Sequence, residues 1–274
     1  MAEKEQPGEE TRFLQKMDRE LLGWDQPAAR LRKALDQNHL CLYVQPIIEL
    51  RAEGAPAHDA VMVEILVRLR EEEEHMLPPG DFLPAFEHFR MMAELDRWVL
   101  GRALRKLAAG GPVPAISVNA SSQTVEDRGF AAFAAAQLKA TGVKPTALVI
   151  EIDESDAIYR REAAERFAAE VRGVGCRVTL DGFARRSVSF EALKLLRADF
   201  VKVDGSIIRK ITRSASAAAK LKAIQRVGEM TGIGVVAECV EEAEVIGALK
   251  LLKIGYAQGF GVAKPEPIEN LFKN

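Results

Sequence analysis

Seven polar residues stand where short apolar runs of the chain stop: Glu64, Asn119, Glu151, Asp181, Lys202, Glu238 and Gln258. Any one of them could be a turn-closing residue, since Asp and Asn commonly cap strand ends. Taken together they imply a site. Several carboxylates gathered at one place repel one another unless a cation sits among them. All the candidate ligands are oxygen donors and none is Cys or His, which favours Mg2+ or Mn2+ over zinc. Such a cation lets an acidic pocket accept a phosphate and activates water near neutral pH. Lys202 could stabilise the nucleophile or the developing phosphoryl charge, or could simply neutralise surplus carboxylates. Arg68 follows Glu64 by four residues, so strand alternation puts both on one face, where the guanidinium can fork onto a phosphate.

For these residues to converge, the runs that carry them must share one open end. β-rich runs at Leu40–Ile47, Val61–Leu69, Ala115–Asn119, Leu148–Asp153, Arg177–Leu180, Phe200–Val203 and Gly234–Ala237, with a weaker one near Tyr256, alternate with helical stretches for most of their length. That pattern predicts an α/β fold, an eight-stranded TIM-like barrel, with function at the C-terminal ends of its strands. Before it, Thr11 to Leu35 has helical spacing of Phe13, Leu14, Met17, Leu21, Leu22, Leu31 and Leu35, interrupted near Gln26-Pro27, which predicts two helices after a disordered tail. Residues 1–27 are therefore read as a tail and helical segment, and 28–274 as one domain. Glu53–Asp59 and the acidic run Glu71–Glu74 read as solvated loops, and no internal repeat is present.

Composition narrows the partners. The 274 residues are 48% hydrophobic and 28% charged, enough to bury one large core. A formal net charge of -2 gives no basic field for general nucleic-acid binding or for an anionic membrane. Cys41, Cys176 and Cys239 are far apart with no CxxC pair, which argues against zinc and disulfides and predicts reduced core thiols in a cytoplasmic protein. No apolar run in the polar N-terminal stretch is long enough for a signal peptide or a membrane span, so a soluble chain is expected.

Glu64-Ile65-Leu66-Val67-Arg68 resembles the signature that names the EAL domain family, the cyclic di-GMP phosphodiesterases and their degenerate relatives, with Ile in place of the middle Ala. The resemblance continues in order through Gln45-Pro46-Ile47, Pro79-Gly80-Asp81-Phe82, Asp96-Arg97-Trp98-Val99-Leu100, Ser117-Val118-Asn119 and Glu151-Ile152-Asp153-Glu154-Ser155. It ends with Lys202-Val203-Asp204, Ala237-Glu238-Cys239-Val240-Glu241 and Gln258-Gly259-Phe260, followed by Lys264-Pro265. It implies a modified barrel whose first strand is antiparallel, with a cyclic dinucleotide extended across the strand ends. By the same resemblance Glu64, Asn119, Glu151 and Asp181 would hold metal, Lys202 and Glu238 would flank the attacking water, and Gln258 would organise the site. Gln45, Leu66 and Arg68 would touch the ligand, Glu154 would anchor the loop after Asp181, and Glu241 would be a further acid outside the centre. Active members use two metals for in-line attack that yields linear pGpG.

The departures are concentrated after Asp181. Where the family has Asp-Asp-Phe-Gly-Thr/Ala-Gly-Tyr-Ser-Ser, this chain has Asp181-Gly182-Phe183-Ala184-Arg185-Arg186-Ser187-Val188-Ser189. Gly182 replaces the acid that helps hold a second metal, leaving one Mg2+ or Mn2+ site, or none. Losing a two-metal clamp would cost several kcal/mol, at about tenfold in rate per 1.36 kcal/mol. Ala184 and Arg186 replace glycines and narrow the loop's backbone choices, so the loop is not expected to copy the family's shape. Arg185-Arg186 either attracts an anion or is a solvated loop. Asp153, where the family has Thr, is expected to be directed away from the site, and Cys239 replaces a Gly. The segment from about Phe190 to Leu196 has a stripe of Phe190, Leu193, Leu195 and Leu196, read as core more than as a dimer interface. Three readings follow: an impaired receptor or regulator that binds cyclic di-GMP or a protein partner, a metal-dependent phosphodiesterase, and a protein-interaction module without nucleotide. A homodimer is compatible with each.

Overall fold

A computed structural model describes residues 26–37, 39–50, 60–70, 76–77, 79–110, 114–185 and 190–272. The helix expected before Gln26, the loops Glu53–Asp59 and Glu71–Glu74, and Arg186–Ser189 lie outside the described residues.

The apolar runs form β1 (Leu40–Glu49), β2 (Ala60–Arg70), β3 (Met76–Leu77), β4 (Ile116–Ala120), β5 (Leu148–Asp153) and β6 (Arg177–Phe183). They continue as β7 (Phe200–Val203), β8 (Gly234–Ala237), β9 (Tyr256–Ala257) and β10 (Glu266–Pro267). Helices α1 (Pro27–Asp36), α2 (Pro79–His88), α3 (Met92–Ala108), α4 (Ser122–Glu126), α5 (Phe130–Thr141) and α6 (Glu154–Tyr159) cover the first half. In the second half come α7 (Arg161–Val174), α8 (Glu191–Leu196), α9 (Gly205–Ile208), α10 (Ala215–Thr231) and α11 (Ala243–Leu251).

Eight strands close a ring in the order β1-β9-β8-β7-β6-β5-β4-β2, and β2 pairs back onto β1. β1 is antiparallel to both neighbours, whereas β2 and β4 to β9 run parallel. The short β3 and β10 extend the edges of β2 and β1, and the sequence pattern did not show them.

The two faces of each strand do different work. Ile47, Met62, Ala115, Val149 and Val236 turn inward and form a small apolar cluster inside the ring. The alternate residues, such as Val63, Ile116, Ile150, Val178, Val201 and Val235, face the helices in one continuous core. Each fully buried side chain of this size contributes about 1.5–3 kcal/mol. Period-2 geometry fixes what comes next. Two residues beyond Met62 is Glu64, beyond Ala115 is Ser117, beyond Val149 is Glu151 and beyond Val236 is Glu238. The apolar cluster is thus the floor of a polar layer.

Helix α3 shows how the outer shell supports that layer. Leu95, Val99, Leu100, Ala103 and Leu104 recur at helical spacing and are buried, and Asp96 lies among them. Its Oδ2 accepts from the Ser121 backbone N–H at 2.8 Å and from Thr124 Oγ1 at 2.6 Å, so it fixes the turn that follows Asn119. Burial raises the Asp96 pKa, although Thr124 and Ser121 oppose the shift. Asp96→Ala strands the buried Thr124 hydroxyl and the part-buried Ser121 N–H and is expected to cost about 1–3 kcal/mol, measured by urea denaturation. A loss under about 0.5 kcal/mol would mean that the turn holds itself.

The cysteines depart from expectation. Cys176 is buried, but Cys41 and Cys239 are only half-buried, because they sit at the barrel rim and beside the mouth. In α8, Ala192, Leu193 and Leu196 are buried, while Phe190 before it and Leu195 within it remain half-covered. Among the described residues, no helix is long and apolar enough to cross a membrane.

Candidate functional site

The mouth is organised around one ammonium. Lys202, 2% exposed near the end of β7, places Nζ 2.9 Å from Glu64 Oε2, 2.8 Å from Glu151 Oε2, 3.1 Å from Glu238 Oε1 and 3.5 Å from Asp181 Oδ1. These five side chains come from five strands or the residues just after them. Four carboxylates against one ammonium leave an excess of negative charge. Burial followed by the charge of Glu64 pushes the Glu151 carboxyl up to about 8, and burial followed by that of Asp181 pushes Glu238 up to about 7, each against the attraction of Lys202. Glu64 differs. Burial acts against its ionisation, but the Lys202 charge and hydrogen bonds from Gln258, Lys202 and Asn119 outweigh burial and lower its pKa. Burial also disfavours the Lys202 ammonium, yet the surrounding acids, Asp181 foremost, raise its pKa well above the usual value.

Neutral side chains hold the acids in place. Asn119 Nδ2 donates to Glu64 Oε1 at 2.9 Å, Gln258 Nε2 to Glu64 Oε2 at 2.6 Å, and Ser117 Oγ to Glu151 Oε1. Gln258 also approaches Gln45 Oε1 at 3.4 Å, and Gln45 Nε2 donates to the Ala263 carbonyl at 3.0 Å. Gln45 therefore ties the C-terminal segment to the centre. Ser117 is a site residue that the strand-end criterion missed, although its place two residues before Asn119 on the same face would have flagged it.

Glu64 itself is in the middle of β2, not at its end. The rim is set by β4, which pairs only with Val63 to Ile65, so β2 continues above the barrel as a ribbon with β1. Gln45 is opposite Glu64, Tyr43 opposite Leu66 and Cys41 opposite Arg68, all on the face that looks over the mouth. Arg68 lies with its Cζ 5.3 Å from the centre of the Tyr43 ring, and its Nη1 donates to the Val67 carbonyl at 2.8 Å. Tyr43 was not singled out in the sequence; the register makes it Arg68's support.

The loop after Asp181 is held from below. Glu154 is buried and its Oε1 accepts from the Ala184 backbone N–H at 3.2 Å. Ala184 has φ 66° and Cys239 φ 53°, so both occupy the left-handed region where the family has glycine. Up to Arg185, then, the backbone keeps a glycine-like path despite the substitution. Asp153 is not directed away. It shares a strand face with Glu151, pairs in register with Asp181, caps α6 by accepting from the Ser155 N–H at 2.8 Å, and meets Arg185 Nη1 at 3.3 Å. Glu241 is exposed, beyond the cluster.

In donor chemistry and charge the mouth fits a hard divalent cation. Its ligand candidates are oxygens, its charge is uncompensated, and the buried Asp181 Oδ1 has no hydrogen-bond partner. Among the described residues no three acids form a ready coordination sphere, because Lys202 holds their centre.

The profile of the EAL domain matches residues 28–265. The chain belongs to the EAL domain family. It is 32% identical over 244 residues to the cyclic di-GMP phosphodiesterase PdeB of Shewanella oneidensis, covering 88% of this chain and 28% of that protein. It is 31% identical over 242 residues to the cyclic di-GMP phosphodiesterase PdeF of Escherichia coli, covering 87% and 32% respectively. The chain thus spans about a third of the length of these curated relatives. Among solved structures, this EAL domain is similar to the PaMucR phosphodiesterase in complex with c-di-GMP, with TM-score 0.81, 28% identity, and coverage of 90% of this chain and 100% of that one. It is likewise similar to the FimX EAL domain of Pseudomonas aeruginosa bound to c-di-GMP, with TM-score 0.80, 28% identity, and coverage of 88% and 97%.

Proposed function

We propose that this EAL domain binds cyclic di-GMP across its barrel mouth and acts as a receptor or regulator with impaired hydrolysis. The observation that carries the reading is a contrast within one site. The ribbon with Gln45, Glu64, Leu66 and Arg68 keeps the family's ligand-side residues on one face, whereas Gly182 brings no acid to the opposite side. Glu64, Asn119, Glu151 and Asp181 would hold one Mg2+ or Mn2+, which when bound supplies positive charge to a phosphodiester and lowers the pKa of water.

The chain's own groups do the rest. Arg68, backed by Tyr43, offers its guanidinium to a phosphate. Gln258, Asn119 and Lys202 keep Glu64 ionised and fixed in direction. Lys202 steadies the negative charge that develops in the mouth, and Glu238, with its raised pKa, is placed to exchange a proton with water there. What Gly182 removes is a second anchoring charge opposite these groups.

The test has two measurements: cyclic di-GMP affinity by calorimetry with Mg2+ or Ca2+, and pGpG formation by chromatography with Mg2+ or Mn2+ at mildly alkaline pH. Micromolar binding with little product supports the reading. Brisk metal-dependent turnover would instead make the chain a phosphodiesterase, which the presence of all seven mouth residues favours. No binding at micromolar concentration would leave a protein-interaction module. Arg68→Ala is expected to weaken cyclic di-GMP binding by about 1.5–3 kcal/mol, the scale of a charged hydrogen bond. Unchanged affinity would remove Arg68 from the ligand's contacts.

A further inference from the structure

The mouth has a second cationic centre beside the first. Arg185 Nε donates to Asp204 Oδ2 at 2.9 Å, and its Nη1 to Asp153 Oδ2 at 3.3 Å. Both acceptors are anchored independently of it. Asp153 caps α6 through the Ser155 N–H at 2.8 Å, and Asp204 caps α9 through the Ser206 N–H at 2.9 Å. The guanidinium is thus seated between two fixed carboxylates, although the side chain is half exposed.

Gly182 lies directly against it. A Cβ at Gly182 would stand 2.4 Å from Arg185 Nη2 and 2.9 Å from its Cζ. The arginine head therefore fills the volume that any side chain at 182 would enter. Gly182 and Arg185 are sterically matched in this loop. Asp153, where the family has Thr, offsets the charge of Arg185, so the guanidinium brings N–H donors to this place without adding net charge.

We propose that the Arg185 guanidinium takes the place of a second divalent cation, leaving this mouth with one exchangeable ion and one built-in cation that faces a phosphate of the bound cyclic dinucleotide. For its ligand this rests on the cyclic di-GMP reading above; for the ion count it does not. A guanidinium offers a phosphate paired N–H donors, so it supports binding. It cannot coordinate water or lower its pKa, so it does not replace the ion in hydrolysis.

The full chain is titrated with Mn2+ by calorimetry, without nucleotide. The native chain is expected to bind one ion. Gly182→Asp alone is expected still to bind one, because the new carboxylate pairs with Arg185, while Gly182→Asp with Arg185→Ala binds a second. Two ions on the native chain, or one on a double variant that melts like a folded protein, would overturn the proposal. A second readout needs no new site: Arg185→Ala is expected to weaken cyclic di-GMP binding about tenfold and Arg185→Lys to recover only part of it. Equal affinity in all three would also overturn it. If the native chain binds no cyclic di-GMP, the functional reading fails, and the Mn2+ count still decides whether Arg185 replaces an ion.

Discussion

Lys202→Met is expected to destabilise the cation-free chain by about 3–5 kcal/mol at neutral pH, the usual cost of removing one partner from a buried ionic cluster. The side chain is buried, and all four of its partners are carboxylates within 3.5 Å. Methionine fits the volume, so the loss is electrostatic. Two terms oppose each other. Removing the ammonium relieves its own desolvation cost, but it leaves Glu64, Glu151, Asp181 and Glu238 facing one another without a counter-charge. Repulsion among four acids outweighs relief for one base. The acid side then sets the pH dependence. Without Lys202 the carboxyl groups titrate at higher pH in the folded chain than in the unfolded one, so the deficit is small in acid and grows as pH rises toward neutrality. Urea denaturation with chelator at pH 5 and pH 8 measures this. A variant as stable as the native chain at pH 8 would show that the acids relax apart.

Much of this site can be read from alternation alone. Met62 and Glu64, Val149 and Glu151, and Val236 and Glu238 each place a floor residue and a site residue on one face, so a strand's polar interruption marks the height of the mouth. The antiparallel first strand came from resemblance, because a hydrophobic pattern reads the same in either direction. What alternation cannot give is reach across the ring. Tyr43 under Arg68 depends on the register of β1 against β2, and Ser117 on Glu151 depends on the register of β4 against β5. Asp153's role is hidden for the same reason: its partner Arg185 is 32 residues on, beyond two helices and β6, and the two meet through the register of β5 against β6. Cys239 was taken as core because cysteines usually are, but it occupies a left-handed turn at the rim.

The two walls of the mouth are supported by different parts of the fold. The ribbon above Glu64 is built from β1 and β2 and is braced by the C-terminal segment, through Gln258, Ala263 and β10. The loop with Gly182 and Arg185 is anchored instead to Glu154, Asp153 and Asp204, which belong to β5, α6 and the end of β7. Changes in one wall leave the other standing.

Gly259→Ala is expected to cost about 3 kcal/mol and to weaken Mn2+ binding with it, the upper range for overpacking a closed site. Gly259 has φ 154°, and a Cβ there would lie 2.2 Å from both the nitrogen and the carbonyl oxygen of Val240. The obstruction is backbone, which no rotamer change can relieve. The two segments in contact are joined by Gln258 N to Ala237 O at 2.9 Å, Val240 N to Gln258 O at 3.0 Å and Gly261 N to Val240 O at 2.8 Å. One carries Glu238 and the other Gln258, so forcing them apart moves a carboxylate away from Lys202 and a donor away from Glu64. Gly247→Ala is the control. It lies in α11 with nothing within 4 Å of its added methyl, and it is expected to stabilise the chain by about 0.5–1 kcal/mol through helix propensity. Denaturation midpoints of the two variants should move in opposite directions, and Mn2+ affinity should fall only for Gly259→Ala. If both variants stabilise, the β8 and β9 ends have room to part, and Gly259 is not what holds Gln258 over Glu64.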